Sequence, residues 1–96
     1  PVLALTPFDS EDEAVAMANG TDYGLGAYIH TQNLARAHRV AGQMLAGMVQ
    51  DNGSGEGMTP CVPFGGMKHS GHGRLGGIEG IREFQQVRNV WVNLQG

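Results

Sequence analysis

Ten of the sixteen glycines in this 96-residue chain fall between Gly53 and Gly80. Glycine loses more backbone freedom on ordering than any other residue. That half of the chain is therefore costly to fix in place, and it needs support from tight backbone contacts or from other polypeptide. The length adds to the difficulty. A chain of this size buries only about 60–65% of its unfolded surface on folding. Apolar residues make up 41% and charged residues 16%, a globular rather than disordered balance.

The net charge is −3, and the six basic residues, Arg36, Arg39, Lys68, Arg74, Arg82 and Arg88, are scattered. Phosphate backbones demand clustered Lys and Arg, so nucleic acid is not an expected partner. No apolar run approaches the roughly 18 residues of a membrane span, so no membrane is expected. The opening PVLALTPFDS has no basic lead and reaches Asp9 early, unlike a signal peptide. A single cysteine, Cys61, cannot close an internal disulfide, which favours a reducing compartment and a cytoplasmic location. Pro1 leads directly into an apolar stretch, which reads as a piece cut from a longer protein.

Val2–Thr6, closed by Pro7, reads as a buried strand. Ser10-Glu11-Asp12-Glu13 matches a capping box, with Ser10 accepting from the amide of Glu13 and Glu13 reaching back to the amide of Ser10. A helix follows, and Gly20 is a candidate left-handed cap. Leu25–Thr31 reads as a second strand. Asn33 is a candidate N-cap for a helix whose inner face would carry Leu34, Ala37, His38, Ala41 and Leu45, with Gly47 ending it. Met48–Asp51 reads as a third strand. The pattern is α/β: a partial parallel βαβαβ sheet. Residues 52–62 hold few apolar anchors and are expected to be poorly ordered. A short helix over residues 77–85 would turn Ile78, Ile81 and Phe84 or Gln85 inward. In Val87–Leu94, Val90, Val92 and Leu94 alternate with polar or exposed positions, which reads as a half-exposed strand. Its edge could pair within the chain or with a partner subunit.

Few residues suggest chemistry on their own. Gly71-x-Gly73-x-x-Gly76 matches a phosphate-cradling pattern, but a poor strand precedes it, and Gly77 and Gly80 weaken the helix after it. A tight turn with positive φ explains it better. Cys61 with His69 or His72 could form a nucleophile–base pair, yet Cys61 lies between prolines and away from any helix N-terminus. The same three residues fall short of a structural zinc set.

The run Pro63-Phe64-Gly65-Gly66-x-Lys68-x-Ser70-Gly71-x-Gly73-Arg74 resembles the signature near the C-terminus of the aldehyde dehydrogenase superfamily. Pro1-Val2-Leu3 resembles the strand that follows that family's Glu-x-Phe-Gly-Pro motif. Asn19-Gly20-Thr21-Asp22-Tyr23-Gly24-Leu25-Gly26-Ala27 resembles its Asn-x-x-x-Tyr-Gly-Leu-x-Ala segment, and Val90-Trp91-Val92-Asn93-Leu94 its closing strand. The resemblance covers essentially the whole chain. It implies a parent enzyme that oxidises an aldehyde to a carboxylic acid with NAD or NADP, through a cysteine nucleophile and a glutamate that activates water.

Those catalytic groups belong to segments upstream in the family, so the resemblance assigns no catalytic residue here, no metal, and no cofactor held by the fragment alone. It does imply supporting roles. Phe64 and Met58 would line the aldehyde pocket, with residues 53–62 forming its entrance loop. Leu25 would lie near the nicotinamide. Pro63, Gly65, Gly66, Lys68, Ser70, Gly71, Gly73 and Arg74 would form a bracing turn, expected at the carboxyl edge of the parallel sheet. Val90, Val92 and Leu94 would pair across subunits of a homo-oligomer. Residues 1–86 would belong to the catalytic domain and 87–96 to the oligomerisation tail. Leu75 stands where many members carry Glu as an outer proton relay, which suggests a subfamily that does without it, such as one acting on bulky or aromatic aldehydes.

Overall fold

The structure, a computed structural model, describes residues 1–53 and 60–96. Helix α1 spans Glu11–Asn19 and is started by Ser10, whose Oγ accepts from the amide of Glu13 at 3.1 Å. The return bond differs from expectation: Glu13 Oε2 accepts from Asp9 N at 2.9 Å rather than from Ser10 N. Three acidic residues in the first turn face the positive end of the helix dipole. Gly20 closes the helix at φ −78°, so it is not the left-handed cap the sequence suggested.

Strand β1 is only Tyr23–Gly24. Strand β2, Gly26–Ile29, follows at once. Asn33 then caps helix α2, Leu34–Ala41, accepting from Arg36 N at 2.9 Å. The helix stops at Gly42 rather than Gly47. Its buried residues are Ala37 and Val40, which with Ile29 are the buried apolar residues of the described chain. Leu34 and Leu45, expected on the inner face, are exposed, because the shorter helix turns Val40 rather than those two against the sheet. Strand β3, Met48–Asp51, pairs parallel to β2 in the register Gly26↔Met48 to Ile29↔Asp51. This β2–α2–β3 unit bears out the α/β class.

A second small sheet was not anticipated. Strand β4, Met67–Lys68, pairs antiparallel with β1, matching Tyr23 to Lys68 and Gly24 to Met67. Helix α3 covers Gly77–Arg82. Ile78, Ile81 and Phe84 are exposed rather than inward, since none of the described residues covers that face.

Two expected strands do not form ladders here. Val2–Thr6 and Val87–Leu94 have no pairing partner among the described residues, and a strand is stable only against a neighbour that takes its N–H and C=O groups. Val2 and Val87 are each 98% exposed. The radius of gyration is 18.8 Å, against about 12.5 Å for a compact chain of this length. The accessible surface of 8133 Å² exceeds by roughly half the ~5,300 Å² of a compact monomer of this mass. The apolar arms need contacts that the chain itself does not supply. Of the stretch expected to be poorly ordered, residues 54–59 lie outside the described residues. None of the described helices is long and apolar enough to cross a membrane.

Candidate functional site: the glycine turn and the Leu25 groove

The bracing turn is built from backbone. Phe64 and Leu75 face each other in an antiparallel bridge, Phe64 N donating to Leu75 O at 2.6 Å and Leu75 N to Phe64 O at 2.7 Å. Between them the chain loops out through residues 65–74. Arg74 closes the loop from inside, one guanidinium nitrogen donating to Gly66 O at 2.9 Å and to Gly73 O at 2.8 Å. Its own amide donates to Glu83 Oε1 at 3.0 Å. Gly71, Gly73 and Gly76 all adopt positive φ, from +79° to +114°. That is what the Gly-x-Gly-x-x-Gly spacing serves here. The amide of Gly77 donates to Pro60 O at 2.8 Å, which ties the end of this loop to the chain before it, and the helix α3 that follows is six residues long.

The turn meets the parallel unit where side chains would be in the way. A Cβ on Gly47 would collide with Gly65 O, and one on Gly66 would lie 2.5 Å from Ser70 Cβ. Gly24 N donates to Ser70 Oγ at 2.9 Å. Gly24 O accepts from Gly47 N, and Asp22 O from His69 N. Lys68 Nζ donates to Asn19 O and Thr21 O, both at 2.9 Å. These contacts lie at Gly24–Gly26 and Gly47–Met48, the amino end of β2 and β3. The turn therefore does not lie at the carboxyl edge of the parallel pair as expected. After β3 the chain returns to the start of both strands, because β4 pairs with β1.

Leu25 sits at this end in an open groove with Tyr23, Met44, Leu45 and Ala46, where Ser70 also reaches. Leu25 is 45% exposed. Phe64 is half-buried and Pro63 exposed. Met58 lies outside the described residues. Val90, Val92 and Leu94 are exposed along the C-terminal arm. Thus Lys68, Ser70, Gly65, Gly66, Gly73 and Arg74 come together, while the arm remains apart from them in the hydrogen-bond network.

Two contributors carried no assigned role in the sequence. Asn19 ends α1, and its side chain clamps the loop after α2, donating to Gln43 O and accepting from Leu45 N, each at 2.9 Å. An Asn at a helix end is a local clue to such a clamp. Glu83, which accepts from Arg74 N, has no local signal at all.

The only resolved shifts in ionisation among the described residues lie away from this turn. Arg39, through its hydrogen bond and then its charge, holds the Glu11 carboxyl below the usual glutamate range, with Arg36 adding to it and partial desolvation opposing. Arg39 is raised in return. The pair ties α1 to α2, with Arg39 Nε–Glu11 Oε1 at 2.6 Å.

The turn is thus braced against the start of the parallel βαβ unit, with an uncharged groove beside it. Residues 1–90 match the aldehyde dehydrogenase family, and the chain belongs to that family. It is 43% identical over 96 residues to the NADP/NAD-dependent aldehyde dehydrogenase PuuC of Escherichia coli (strain K12), covering 99% of this chain and 19% of that protein. It is 44% identical over 95 residues to a betaine aldehyde dehydrogenase of Cereibacter sphaeroides, with 98% and 19% covered. Among solved structures, the NAD+ complex of an aldehyde dehydrogenase from Bacillus cereus superposes with a TM-score of 0.91 at 40% identity, over 98% of this chain and 19% of that one. PnpE from Pseudomonas sp. WBC-3 gives 0.83 at 48%, over 91% and 18%. The chain thus spans about a fifth of the length of these relatives.

Proposed function

We propose that the whole protein is an NAD(P)-dependent aldehyde dehydrogenase that oxidises an aldehyde to a carboxylic acid, and that this chain supplies part of its cofactor and substrate walls. The single observation that carries this reading is the lock between the glycine turn and the start of β2, in which Ser70, Lys68 and Gly47 fix the backbone around Leu25. The Leu25 groove bears on the cofactor. No basic side chain lines it, and its lining is chiefly Leu25, Met44, Leu45, Ala46 and two tyrosines. Such a surface, apolar and free of Lys and Arg, suits a flat, positively charged nicotinamide ring and not a pyrophosphate. The cofactor, when bound, accepts hydride. This chain's part is to present Leu25 to the ring, to exclude water with Met44 and Leu45, and to hold Phe64 as one side of the aldehyde pocket. Met58 is assigned to the same pocket. The protein would work in the cytoplasm.

The test is aldehyde-dependent formation of NADH or NADPH by the full-length protein. Leu25→Ala should raise KM for the cofactor and Phe64→Ala KM for the aldehyde, each by about tenfold, as for loss of a buried contact of 1–3 kcal/mol. No turnover with aliphatic, aromatic or amino aldehydes and either cofactor would sink the reading.

A second reading, a non-catalytic oligomerisation module, is favoured by one observation: Val90, Val92 and Leu94 lie bare along the C-terminal arm. It requires Val92→Lys to shift the sizing-column elution of the isolated chain towards monomer. Pairing of the same arm across subunits of the full-length enzyme requires the same shift there.

A further inference from the structure

We infer that Lys68 is a positioning residue: its ammonium sets the spacing of the two walls of the Leu25 groove, and through them the affinity for the nicotinamide cofactor. The inference rests on the dehydrogenase reading above and deepens it.

The two walls come from different parts of the chain. One is Tyr23–Tyr28, the other Met44–Ala46. Both are anchored on the junction that follows α1. Asn19 holds the second wall directly, since its side chain bonds Gln43 O and Leu45 N. The junction leads into the first wall within two residues of Thr21. Lys68 grips this junction at two carbonyls at once, Asn19 O and Thr21 O. One ammonium therefore bonds the anchor points of both walls.

Three features make this grip more than a surface contact. First, Asn19 is the last residue of α1, and α1 has no basic residue in its own last turn. The cation that the negative end of the helix dipole favours is delivered from 49 residues away. Second, Lys68 adopts φ 54°, a backbone that non-glycine residues seldom take. Such a conformation persists only where the surroundings over-determine it. Here the β1–β4 pairing, the His69–Asp22 bond and the double grip do so. Third, the neighbouring Ser70 holds the amide of Gly24, the residue before Leu25. With the ammonium gone, Ser70 still fixes Gly24 and the His69–Asp22 bond still holds the next residues, but the end of α1 at Asn19 loses its direct side-chain hold from the turn. The walls stay joined at Gly24–Gly47 and Leu25–Met48, but the Met44–Leu45 end of the second wall, which hangs on Asn19, can then move, and a small misplacement is expensive at a site that must fit a rigid ring.

The experiment uses the full-length protein with Lys68→Met, which keeps the apolar stem and loses the donors, and Lys68→Arg, which retains donors for both carbonyls. Dissociation constants for NAD and NADP are measured by calorimetry without aldehyde, and KM for the aldehyde and the thermal midpoint are measured separately. We expect Lys68→Met to weaken cofactor binding about tenfold while the aldehyde KM stays within about twofold, and Lys68→Arg to recover to within about threefold of the parent. A merely structural lysine would lower the thermal midpoint and leave cofactor affinity alone, and that result overturns the inference. So does an Arg variant no better than Met, or cofactor and aldehyde constants rising together. A parent protein that binds neither cofactor sinks the dehydrogenase reading and this inference with it. Tight binding by the parent with an indifferent Met variant sinks the tether alone.

Discussion

Gly47→Ala tests whether the turn and the parallel unit are joined by backbone contact. Beyond its collision with Gly65 O, the added Cβ would lie 2.7 Å from Gly65 C and 3.1 Å from Gly66 Cα. Ordinary contact begins near 3.4 Å. The two backbones must therefore part by at least about 0.7 Å, and no side-chain rotation can relieve it. Two ladder bonds begin at this point, Gly47 N to Gly24 O and Met48 N to Leu25 O, both 3.0 Å. Overpacking costs about 1–3 kcal/mol and each weakened bond about 1 kcal/mol, so a local penalty of about 2–4 kcal/mol follows. In native-state hydrogen exchange of the full-length protein, that is a loss of protection of roughly 30- to 1,000-fold at Met48, Phe64 and Leu75. Gly26→Ala is the control. Its Cβ would meet only Met48 Cε, at 3.9 Å, and reduced freedom in the unfolded chain should leave it neutral or more stable by up to about 1 kcal/mol. If Gly47→Ala kept Met48 protection within about threefold of the parent, or if the two variants behaved alike, the backbone-contact argument would be wrong.

Three further outcomes follow from the same geometry. Because the Glu11 carboxyl is held below its ordinary value, the α1–α2 tether is fully present above the usual glutamate range and is lost as pH falls through the lowered value; α1 amide protection should drop on that acid limb in the parent and show no such step in Glu11→Gln. Asn52 sits at φ 56° and its side-chain amide bonds both Thr31 N and Thr31 O; Asn52→Ala should cost about 1–3 kcal/mol, read as faster exchange at Thr31 and Asn52, with Asn52→Gly intermediate because it relieves the backbone but not the bridge. The excised 96-residue chain should show no sharp calorimetric transition and no aldehyde-dependent NADH formation, since its apolar arms stay bare; a sharp transition with a radius near 12.5 Å, or measurable NADH, contradicts this.

What could be read in advance was whatever is local. Ser10 and Asn33 announce their helices because an N-cap needs only the next three residues. The β2–α2–β3 unit follows from short connections and alternating patterns, and the positive φ of Gly71, Gly73 and Gly76 from their spacing. What could not be read was pairing across distance. Nothing in Tyr23-Gly24 or Met67-Lys68 marks a two-residue ladder, and no local pattern says that Lys68 reaches Asn19 or that Arg74 meets Glu83. Val2–Thr6 and Val87–Leu94 show the opposite failure. Their residues favour extended backbone, but a ladder needs a neighbour, which periodicity cannot provide. The turn, expected at the carboxyl edge, lies at the amino end for a related reason: the ladder with β1 draws the loop after β3 back to where β3 begins.

These successes and failures explain how so glycine-rich a segment holds its shape with almost no core. Among the described residues only Ile29, Ala37 and Val40 are buried apolar residues, and none of them lies in residues 63–76, so burial of that segment's own apolar side chains is not what orders it. Their order comes from main chain lying directly on main chain. Gly47 rests on Gly65, Gly66 on Ser70, and Gly76 and Gly77 on the carbonyls of Val62 and Cys61, with charged and hydroxyl side chains filling the remaining acceptors and donors. Such contacts leave no room for a Cβ and transmit displacement with little slack, because the touching atoms are main chain or, at Ser70, a Cβ fixed to it, and none can rotate away. A surface fixed in this way holds the backbone around Leu25 and Phe64 with little slack, while the apolar arms on either side stay exposed. The glycines that make the segment costly to order are thus the same residues that let it serve as a rigid brace.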